Sequence, residues 1–532
     1  MQFGKLTLPL PPGRRAASDA GEPTAGRTAR ANSIALAALC TLLFLTFLDN
    51  TVVSVGLGSL QTDLHASVAE LQWVIGAYAL TFASIMLACG MIGDELGRKA
   101  VMLTGAGVFC AGSVLCALAP NAPMLIAGRA ILGLGAAASE PGTLSVLRHI
   151  YTDERARARA IGIWAAVSGL ALALGPVIGG ALVGAWNWRG IFWFNLFFGL
   201  AALLVAAVVV PESSDPHAAR VDTAGTLLGA GALATLVFAI INAETAGFAA
   251  PEVVALFCTS GVLAVAFAWW ETRASHPLLD LRFLRTRWFT VPNIVAFCTY
   301  FATFAIFFFT ALYLVEVPSD SGFVIAAVFA PMTVLMILAS VFTGYWAGVA
   351  GPRWPITIGC ALFGAGLLLA NPLITPHPNY VLLALALCVA GIGIGITVVP
   401  VTTTVMNAVP PDRSGMAASA ANTSREIGAV TGVAILGALV FSQLNASLTT
   451  HLQQLGVPVA FKSLILEFIE TGQVGTNINY NAYGPIVQKV IGAAYSSFGD
   501  GLHAALYLSA GLVLLAGLLA AVTLRGTAPA RS

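Results

Sequence analysis

Long apolar runs separated by short polar turns occupy most of this chain. Only 9% of its 532 residues are charged and 58% are hydrophobic, whereas a soluble domain carries about 25% charged residues. A helix of about 20 apolar residues crosses the hydrocarbon core of a bilayer. The sequence therefore predicts an all-α polytopic membrane protein with fourteen spanning helices. We expect them near residues 34–57, 71–92, 101–119, 122–147, 160–183, 190–210, 222–242, 252–270, 288–314, 321–347, 355–372, 379–400, 414–442 and 501–524.

The positions of the basic residues support this count. With the N-terminus inside, twenty of the 25 Lys and Arg residues lie on the cytoplasmic side. Only Arg189, Lys462 and Lys489 fall outside, while Arg129 and Arg425 lie within spans. One helix more or fewer would exchange the sides of every later loop. The asymmetry predicts a multi-pass protein of the cell membrane with both termini in the cytoplasm.

Asp49 is the only formal charge in the first apolar run. A carboxylate inside a membrane helix costs roughly 2.5–3.5 kcal/mol on insertion scales, and chains tolerate it mainly where it faces a partner, a cavity or an ion path. We interpret Asp49 as a proton-coupling residue. The alternative is a carboxyl that only fixes helix packing through a hydrogen bond.

Arg129, in the fourth span, lies at the same predicted depth as Asp49. Span 1 runs outward and span 4 inward, and at about 1.5 Å per residue both side chains sit roughly 10–12 Å below the outer surface. Equal depth permits an ion pair that forms and breaks during transport. The alternative for Arg129 is a hydrogen-bond donor in helix packing.

Three further charged residues lie within predicted spans. Glu140 follows Arg129 by about three helical turns, so both share a helix face but are too far apart to touch. It is a candidate second protonatable or cation-binding group, or else a packing residue bonded to a nearby carbonyl. In span 13 we expect a structural or gating role for Arg425, while the role of Glu426 stays open.

The turn after the second span carries a recognisable motif. It reads Gly90-Met91-Ile92-Gly93-Asp94-Glu95-Leu96-Gly97-Arg98-Lys99, and its glycines allow a tight connection between antiparallel helices. Asp94 and Arg98 are spaced to pair with each other or with neighbouring helix ends. This turn resembles the loop signature of the major facilitator superfamily, which gives Gly90, Asp94, Gly97, Arg98 and Lys99 a gating role. The alternative is an ordinary charged turn.

The fourth and fifth spans extend the resemblance. The stretch from Gly128 to Ala137 around Arg129 is similar to the fourth-helix motif of that superfamily. The fifth span carries Gly169, Gly175, Pro176, Gly179 and Gly180 in the spacing of its antiporter motif. Small residues permit close helix contact, and the proline removes a backbone donor and kinks the helix.

Further matches indicate the fourteen-span drug/proton antiporter branch. The first-helix motif of this branch resembles Leu48-Asp49-Asn50-Thr51-Val52-Val53. Its sixth-helix motif resembles Trp188-Arg189 with Phe192, Trp193 and Asn195. Its thirteenth-helix motif resembles Asn422 with Arg425-Glu426-Ile427-Gly428. The sequence departs from the branch at Ser54, Gly58, Phe197 and Gly348. These departures bear on substrate type and gating rather than on the fold.

The resemblance implies a major facilitator fold, with two six-helix bundles plus two inserted helices. The corresponding domains are a disordered cytoplasmic N-terminus at 1–32, an N-terminal bundle at 33–211, the inserted helices and linkers at 212–287, a C-terminal bundle at 288–525 and a cytoplasmic tail at 526–532. The C-terminal bundle includes an extracellular loop or hairpin at 443–500. Such bundles rock around a central site to give alternating access.

We therefore expect a proton-coupled antiporter that exports amphipathic or cationic drugs and toxic compounds. The alternatives are export of an endogenous lipid, siderophore or metabolite, or a non-transporting receptor or scaffold. The loops lack the motifs of an enzyme. We expect protons, membrane lipids and a small amphipathic substrate as partners, with no nucleic acid, cofactor or metal, and a monomeric state. The eight cysteines lie in apolar runs without CxxC and are interpreted as packing residues.

Overall fold

The structure is a computed structural model that describes residues 25–151, 153–212, 222–274, 277–278, 280–316, 322–410, 414–454 and 480–525. In this part of the chain fourteen helices are long and apolar enough to cross a membrane, which confirms the predicted number. We label them α1 to α14. Their bounds are Ala25–Val52, Val68–Leu96, Arg98–Ala117, Ala122–Ile150, Glu154–Ala185, Arg189–Val209, Thr223–Ala246, Pro251–Glu271, Arg287–Phe304, Gly322–Ala350, Arg353–Ala370, Tyr380–Asn407, Ser414–Gln454 and Tyr480–Thr523.

Two of these helices continue beyond an irregular turn. After α1, a 3-10 turn at Val53–Gly56 leads into a further helix at Leu57–Leu64. After α9, a π-helical turn at Ala305–Thr310 leads into Ala311–Glu316. The 3-10 turn contacts both the π-helical turn and the segment that follows it. The irregular turns that follow the first helix of each six-helix group therefore meet each other.

Side-chain caps fix where several helices begin. Ser67 and Glu70 form a reciprocal capping box at the start of α2. Asn121 accepts from the Met124 amide at the start of α4, and Asp153 accepts from the Ala156 amide in α5. These side chains satisfy backbone donors that the first turn of a helix leaves free.

The helices pack as two groups, which we call the N-bundle (α1–α6) and the C-bundle (α9–α14). The two bundles meet mainly along α5 against α10 and along α2 against α13. Helices α7 and α8 form a hairpin, and α7 contacts both α2 and α13 at the same seam. Helices α2 and α5 of the N-bundle and α10 and α13 of the C-bundle therefore form the interface between the bundles.

Helix ends extend into two segments that lie outside the predicted spans. Helix α1 begins at Ala25, so the last residues of the segment 1–32 predicted to be disordered are helical. Helix α13 continues to Gln454 and α14 begins at Tyr480, so both run into the predicted connection 443–500. Residues 1–24, 455–479 and 526–532 lie outside the described part of the chain.

Candidate transport site

Asp49 and Arg129 form a fully buried ion pair between α1 and α4. Both side chains have no exposed surface, and Arg129 Nη1 donates to Asp49 Oδ2. The second carboxylate oxygen accepts from Asn195 Nδ2 of α6 at 2.5 Å. The contact that equal depth predicted is therefore present, and a third helix completes it.

The guanidinium of Arg129 is also held independently of Asp49. Its Nε donates to the Val74 carbonyl of α2 at 2.7 Å, and it lies 4.6 Å from the centroid of the Tyr78 ring. The Tyr78 hydroxyl in turn donates to the Thr46 carbonyl at 2.8 Å. These contacts would still hold the Arg129 guanidinium within the N-bundle if Asp49 were neutral.

The C-bundle carries its own buried cation at Arg425. Its Nη1 donates to Asn422 Oδ1 at 2.9 Å, and its Nη2 donates to Thr402 Oγ1 of α12. The Tyr300 ring of α9 lies 5.4 Å from the guanidinium carbon. Arg425 therefore links α9, α12 and α13, in agreement with a structural role.

Hydrogen bonds from two described asparagines cross from one bundle to the other. Asn50 Nδ2 of α1 donates to Glu426 Oε1 of α13 at 3.0 Å, and Asn422 Nδ2 of α13 donates to Glu140 Oε1 of α4. Both glutamates are 1% exposed. Among the described residues neither Glu140 Oε2 nor Glu426 Oε2 has a hydrogen-bond partner.

These contacts form a single buried assembly, which we call the central network. Asp49 and Asn50 are consecutive in α1, and Arg425 and Glu426 are consecutive in α13, so the contacts of the two bundles adjoin. The members of the central network are Asp49, Asn50, Tyr78, Arg129, Glu140, Asn195, Tyr300, Thr402, Asn422, Arg425 and Glu426. The central network thus brings together three carboxyls and two guanidiniums, and two of the carboxyls, Glu140 and Glu426, bond across the interface between the bundles. Glu140 and Arg129 do not bond each other, as their separation along α4 predicts.

The glycines of the fifth span bring α5 against the stretch that carries Asp49. A side-chain carbon added at Gly175 would overlap the Thr51 side chain, and one at Gly179 would overlap the Val52 carbonyl. Pro176 and Gly180, which directly follow Gly175 and Gly179, are also buried. Gly169 is also buried, but its nearest neighbour would be Ser340 Oγ of α10 at 4.0 Å. The predicted small-residue contact is therefore present at Gly175 and Gly179.

The predicted gating turn lies between α2 and α3. Gly97 has φ +113°, a conformation that favours glycine, and the Lys99 amide donates to Glu212 Oε1 at 3.0 Å. Gly90 faces Pro141 of α4 and Ser419 of α13. The turn is thus tied to the end of α6 and approaches the other bundle. Arg98 is half-buried, and the Asp94 side chain lies outside what the structure describes.

A second ion pair lies at Leu57–Leu64, the helix that continues α1. Asp63 accepts from Arg189 Nη1 and from the Trp188 indole nitrogen at 3.0 Å, and Arg189 also donates to the Ala119 carbonyl at 3.1 Å. Both charged side chains are partly exposed. This pair ties α1 to α6 but is separate from the central network.

Sequence reasoning missed the partners of the carboxyls. Asn195 and Asn422 were identified only as parts of motifs, and Asn50 only as a neighbour of Asp49. Amide side chains inside apolar spans were the available signal, because each must find a hydrogen-bond partner when buried. The pattern within one helix does not say which other helix supplies that partner.

A cavity of about 590 Å³ lies away from this network, where α8 leads into α9. Its lining includes Glu271, Asp280, Arg282 and Arg285, none of which was predicted as a site residue. Within the described residues, no group of three or more His, Cys, Asp or Glu side chains is arranged to hold a metal ion.

The sequence profile of the Major Facilitator Superfamily matches residues 39–433, a stretch that runs from within α1 into α13. The chain belongs to the Major Facilitator Superfamily. This finding confirms the resemblance that the motifs indicated. It also identifies the protein as a multi-pass membrane transporter, because fourteen helices of the described chain are able to span a membrane.

Relatives within the Major Facilitator Superfamily carry names that refer to resistance and efflux. The multidrug resistance protein Stp of Mycobacterium tuberculosis is 32% identical over 413 residues, covering 77% of this chain and 76% of the relative. The methylenomycin A resistance protein of Bacillus subtilis is 36% identical over 396 residues, covering 74% and 84%. The multidrug efflux pump LfrA of Mycolicibacterium smegmatis is 30% identical over 420 residues, covering 79% and 83%.

Solved structures share the fold. A bacterial homologue of the human lysosomal transporter Spinster, in an inward-facing and unoccupied conformation, superposes with a TM-score of 0.60 at 19% identity. The match covers 94% of this chain and 99% of that one. An autoinhibited peptide transporter of the POT family gives a TM-score of 0.59 at 17% identity, covering 94% and 98%. At these identities the comparison establishes the major facilitator fold alone.

Proposed function

We propose that this protein is a proton-coupled antiporter that exports amphipathic or cationic drugs and toxic compounds from the cytoplasm. The names of the relatives that it covers over most of their length support drug export. The antiporter motif packed against the Asp49 stretch supports exchange rather than uniport. The protein acts as a monomer in the cell membrane, surrounded by lipid, with both termini in the cytoplasm.

The buried pair of Asp49 and Arg129 carries the coupling part of this proposal. An ionised carboxyl inside a membrane protein is stable mainly when an opposite charge or hydrogen-bond donors compensate it. Arg129 and Asn195 supply both. Proton binding neutralises Asp49 and removes its attraction for Arg129, which then rests on the Val74 carbonyl and the Tyr78 ring. The pair therefore has two arrangements, as a proton switch requires.

The contact between α5 and α1 connects this switch to helix movement. Gly175 and Gly179 let α5 approach the backbone at Thr51 and Val52, directly after Asp49. Helix α5 also packs along α10 of the C-bundle. A change at Asp49 therefore acts on the helix that forms the main seam between the bundles, which is the seam that alternating access has to rearrange.

Transport by vesicles tests the proposal. Purified protein is reconstituted, and export of ethidium, a lipophilic cation, is followed by fluorescence with an imposed pH gradient. We expect accumulation against the ethidium gradient, abolished when nigericin collapses the pH gradient and absent from protein-free vesicles. Undiminished accumulation after nigericin treatment would contradict proton coupling. No ethidium movement, together with none for a panel of neutral antibiotics, would contradict drug export.

A further inference from the structure

Four residues of the central network form a reciprocal arrangement across the two bundles. The N-bundle supplies the amide of Asn50 and the carboxyl of Glu140, while the C-bundle supplies the amide of Asn422 and the carboxyl of Glu426. Each amide donates to the carboxyl of the opposite bundle. We call these two hydrogen bonds the interbundle clasp.

The clasp is buried, and it provides a hydrogen-bond donor to only one of the two oxygens of each carboxyl. All four side chains are at most 4% exposed. Each carboxyl uses Oε1 for the amide of the opposite bundle, and its Oε2 has no partner among the described residues. Neither carboxyl forms an ion pair in the described part of the chain, where Arg425 reaches only Asn422 and Thr402 through Nη1 and Nη2. Among the described side chains, the amide is therefore the hydrogen-bond partner of each carboxyl.

Several close helix contacts near the clasp, unlike the clasp itself, do not cross between the bundles. Gly428 and Gly432 of α13 lie against the backbone of α9, and Gly133 of α4 lies against Tyr78 of α2. These close contacts stay within one bundle, so a rigid rotation of one bundle against the other leaves them intact. The two clasp bonds cross the interface, and such a rotation has to break them.

We propose that Asn50 and Asn422 are positioning residues that hold Glu426 and Glu140 of the opposite bundle. They favour the arrangement in which the two bundles are in contact at the clasp, which we call the joined arrangement. The inference rests on the proposed transport function, in which the bundles change their contact during each cycle. When the bundles separate at this depth, each carboxyl loses its amide donor. The clasp thereby makes the surroundings of two carboxyls depend on the position of the bundles, independently of the Asp49 pair.

The distance between the bundles tests this inference. Spin labels are attached to Leu118→Cys and Thr375→Cys, at the ends of α3 and α11, in a background whose native cysteines are replaced by serine. A second pair uses Glu95→Cys and Val349→Cys, near the C-terminal ends of α2 and α10, on the side of the molecule opposite to the first pair. Double electron–electron resonance then gives the ratio of joined to separated molecules. The experiment contains no substrate and no proton gradient, so its outcome does not depend on whether proton coupling is correct.

Loss of either amide should lower the joined population. Asn50→Leu and Asn422→Leu should each reduce the ratio about threefold to tenfold, the effect of one buried hydrogen bond. Glu426→Gln retains an acceptor oxygen and should stay near the wild-type ratio, whereas Glu426→Leu should match Asn50→Leu. The double variant Asn50→Leu/Glu426→Leu should fall no further than either single variant, because both remove the same bond.

Asn293→Leu provides the matched control. Asn293 is a buried amide whose hydrogen bonds, to the Phe289 carbonyl and with Ser424, stay within the C-bundle. It should leave the ratio unchanged. The inference is wrong if Asn50→Leu and Asn422→Leu leave the ratio at the wild-type value, or if Asn293→Leu lowers it equally. Additive effects of Asn50→Leu and Glu426→Leu would also overturn it.

Discussion

Asn50 donates to Glu426 across the bundle interface at 3.0 Å, while its neighbour Asp49 pairs with Arg129 inside the N-bundle. Successive residues of α1 thus serve two different contacts. One contact holds the bundles together, and the other is the proposed proton switch. A short stretch of one helix therefore carries both the proposed proton switch and a contact between the bundles.

Removing the cation of the central pair should be more damaging than removing both charges. Arg129→Gln leaves Asp49 buried without its countercharge, and breaking a buried pair in this way costs about 3–5 kcal/mol. We expect a strongly lowered melting temperature in detergent. Asp49→Asn/Arg129→Gln should recover much of that loss without recovering transport. A double variant no more stable than Arg129→Gln would contradict the energetic importance of the pair.

The glycines of α5 should differ in their tolerance of a side chain. Gly175→Leu should insert into the membrane but stall transport. Even Gly175→Ala should lower the free energy of unfolding by about 1–3 kcal/mol, because the added methyl group overpacks against Thr51. Gly169→Ala is the matched control, since its nearest neighbour would be 4.0 Å away. Melting temperature and initial transport rate are measured for all three variants. Normal transport by Gly175→Leu would show that the motif is passive packing.

The turn between α2 and α3 should depend on glycine at residue 97. Gly97→Ala places a side chain at φ +113° and 3.0 Å from Glu212 Oε1, at a cost of about 1–3 kcal/mol for backbone strain. Gly93→Ala is the control, because its added carbon meets nothing closer than 3.8 Å. We expect a lower melting temperature and slower transport for Gly97→Ala alone. Equal behaviour of the two variants would remove the strain argument.

Glu140 should matter most for substrates that carry positive charge. An ionised carboxyl attracts a cation strongly in a low-dielectric interior but attracts a neutral compound little. Glu140→Gln keeps an acceptor for Asn422 and should weaken export of cationic compounds more than that of neutral ones. Competition assays with ethidium and a neutral drug measure the difference. Equal loss for both classes would indicate a structural role instead.

The sequence predicted features that depend on one helix at a time. The number of spans followed from hydropathy and the distribution of basic residues. The meeting of Asp49 with Arg129 followed from depth, because two antiparallel spans of known direction place residues at calculable heights. The close contact at Gly175 followed from the local pattern of small residues.

The remaining contacts depend on which helices face each other, and that information is not local. Asn195 reaches Asp49 because α6 packs beside α1, and Asn422 reaches Glu140 because α4 meets α13 at the interface. Periodicity along one span gives the face that a side chain occupies but not its neighbour in another bundle. The extension of α13 to Gln454 was missed for another reason, since polar residues beyond a span can prolong a helix past the apolar boundary.

Transport by Asp49→Asn tests the central claim most directly. The amide retains the shape of the side chain but does not titrate. In vesicles the variant should fail to accumulate ethidium under a pH gradient yet still exchange labelled for unlabelled ethidium when no gradient is present. Asp63→Asn, which alters a carboxyl of the same helix paired with Arg189, should retain both activities. Accumulation by Asp49→Asn at the wild-type rate and extent would contradict the account.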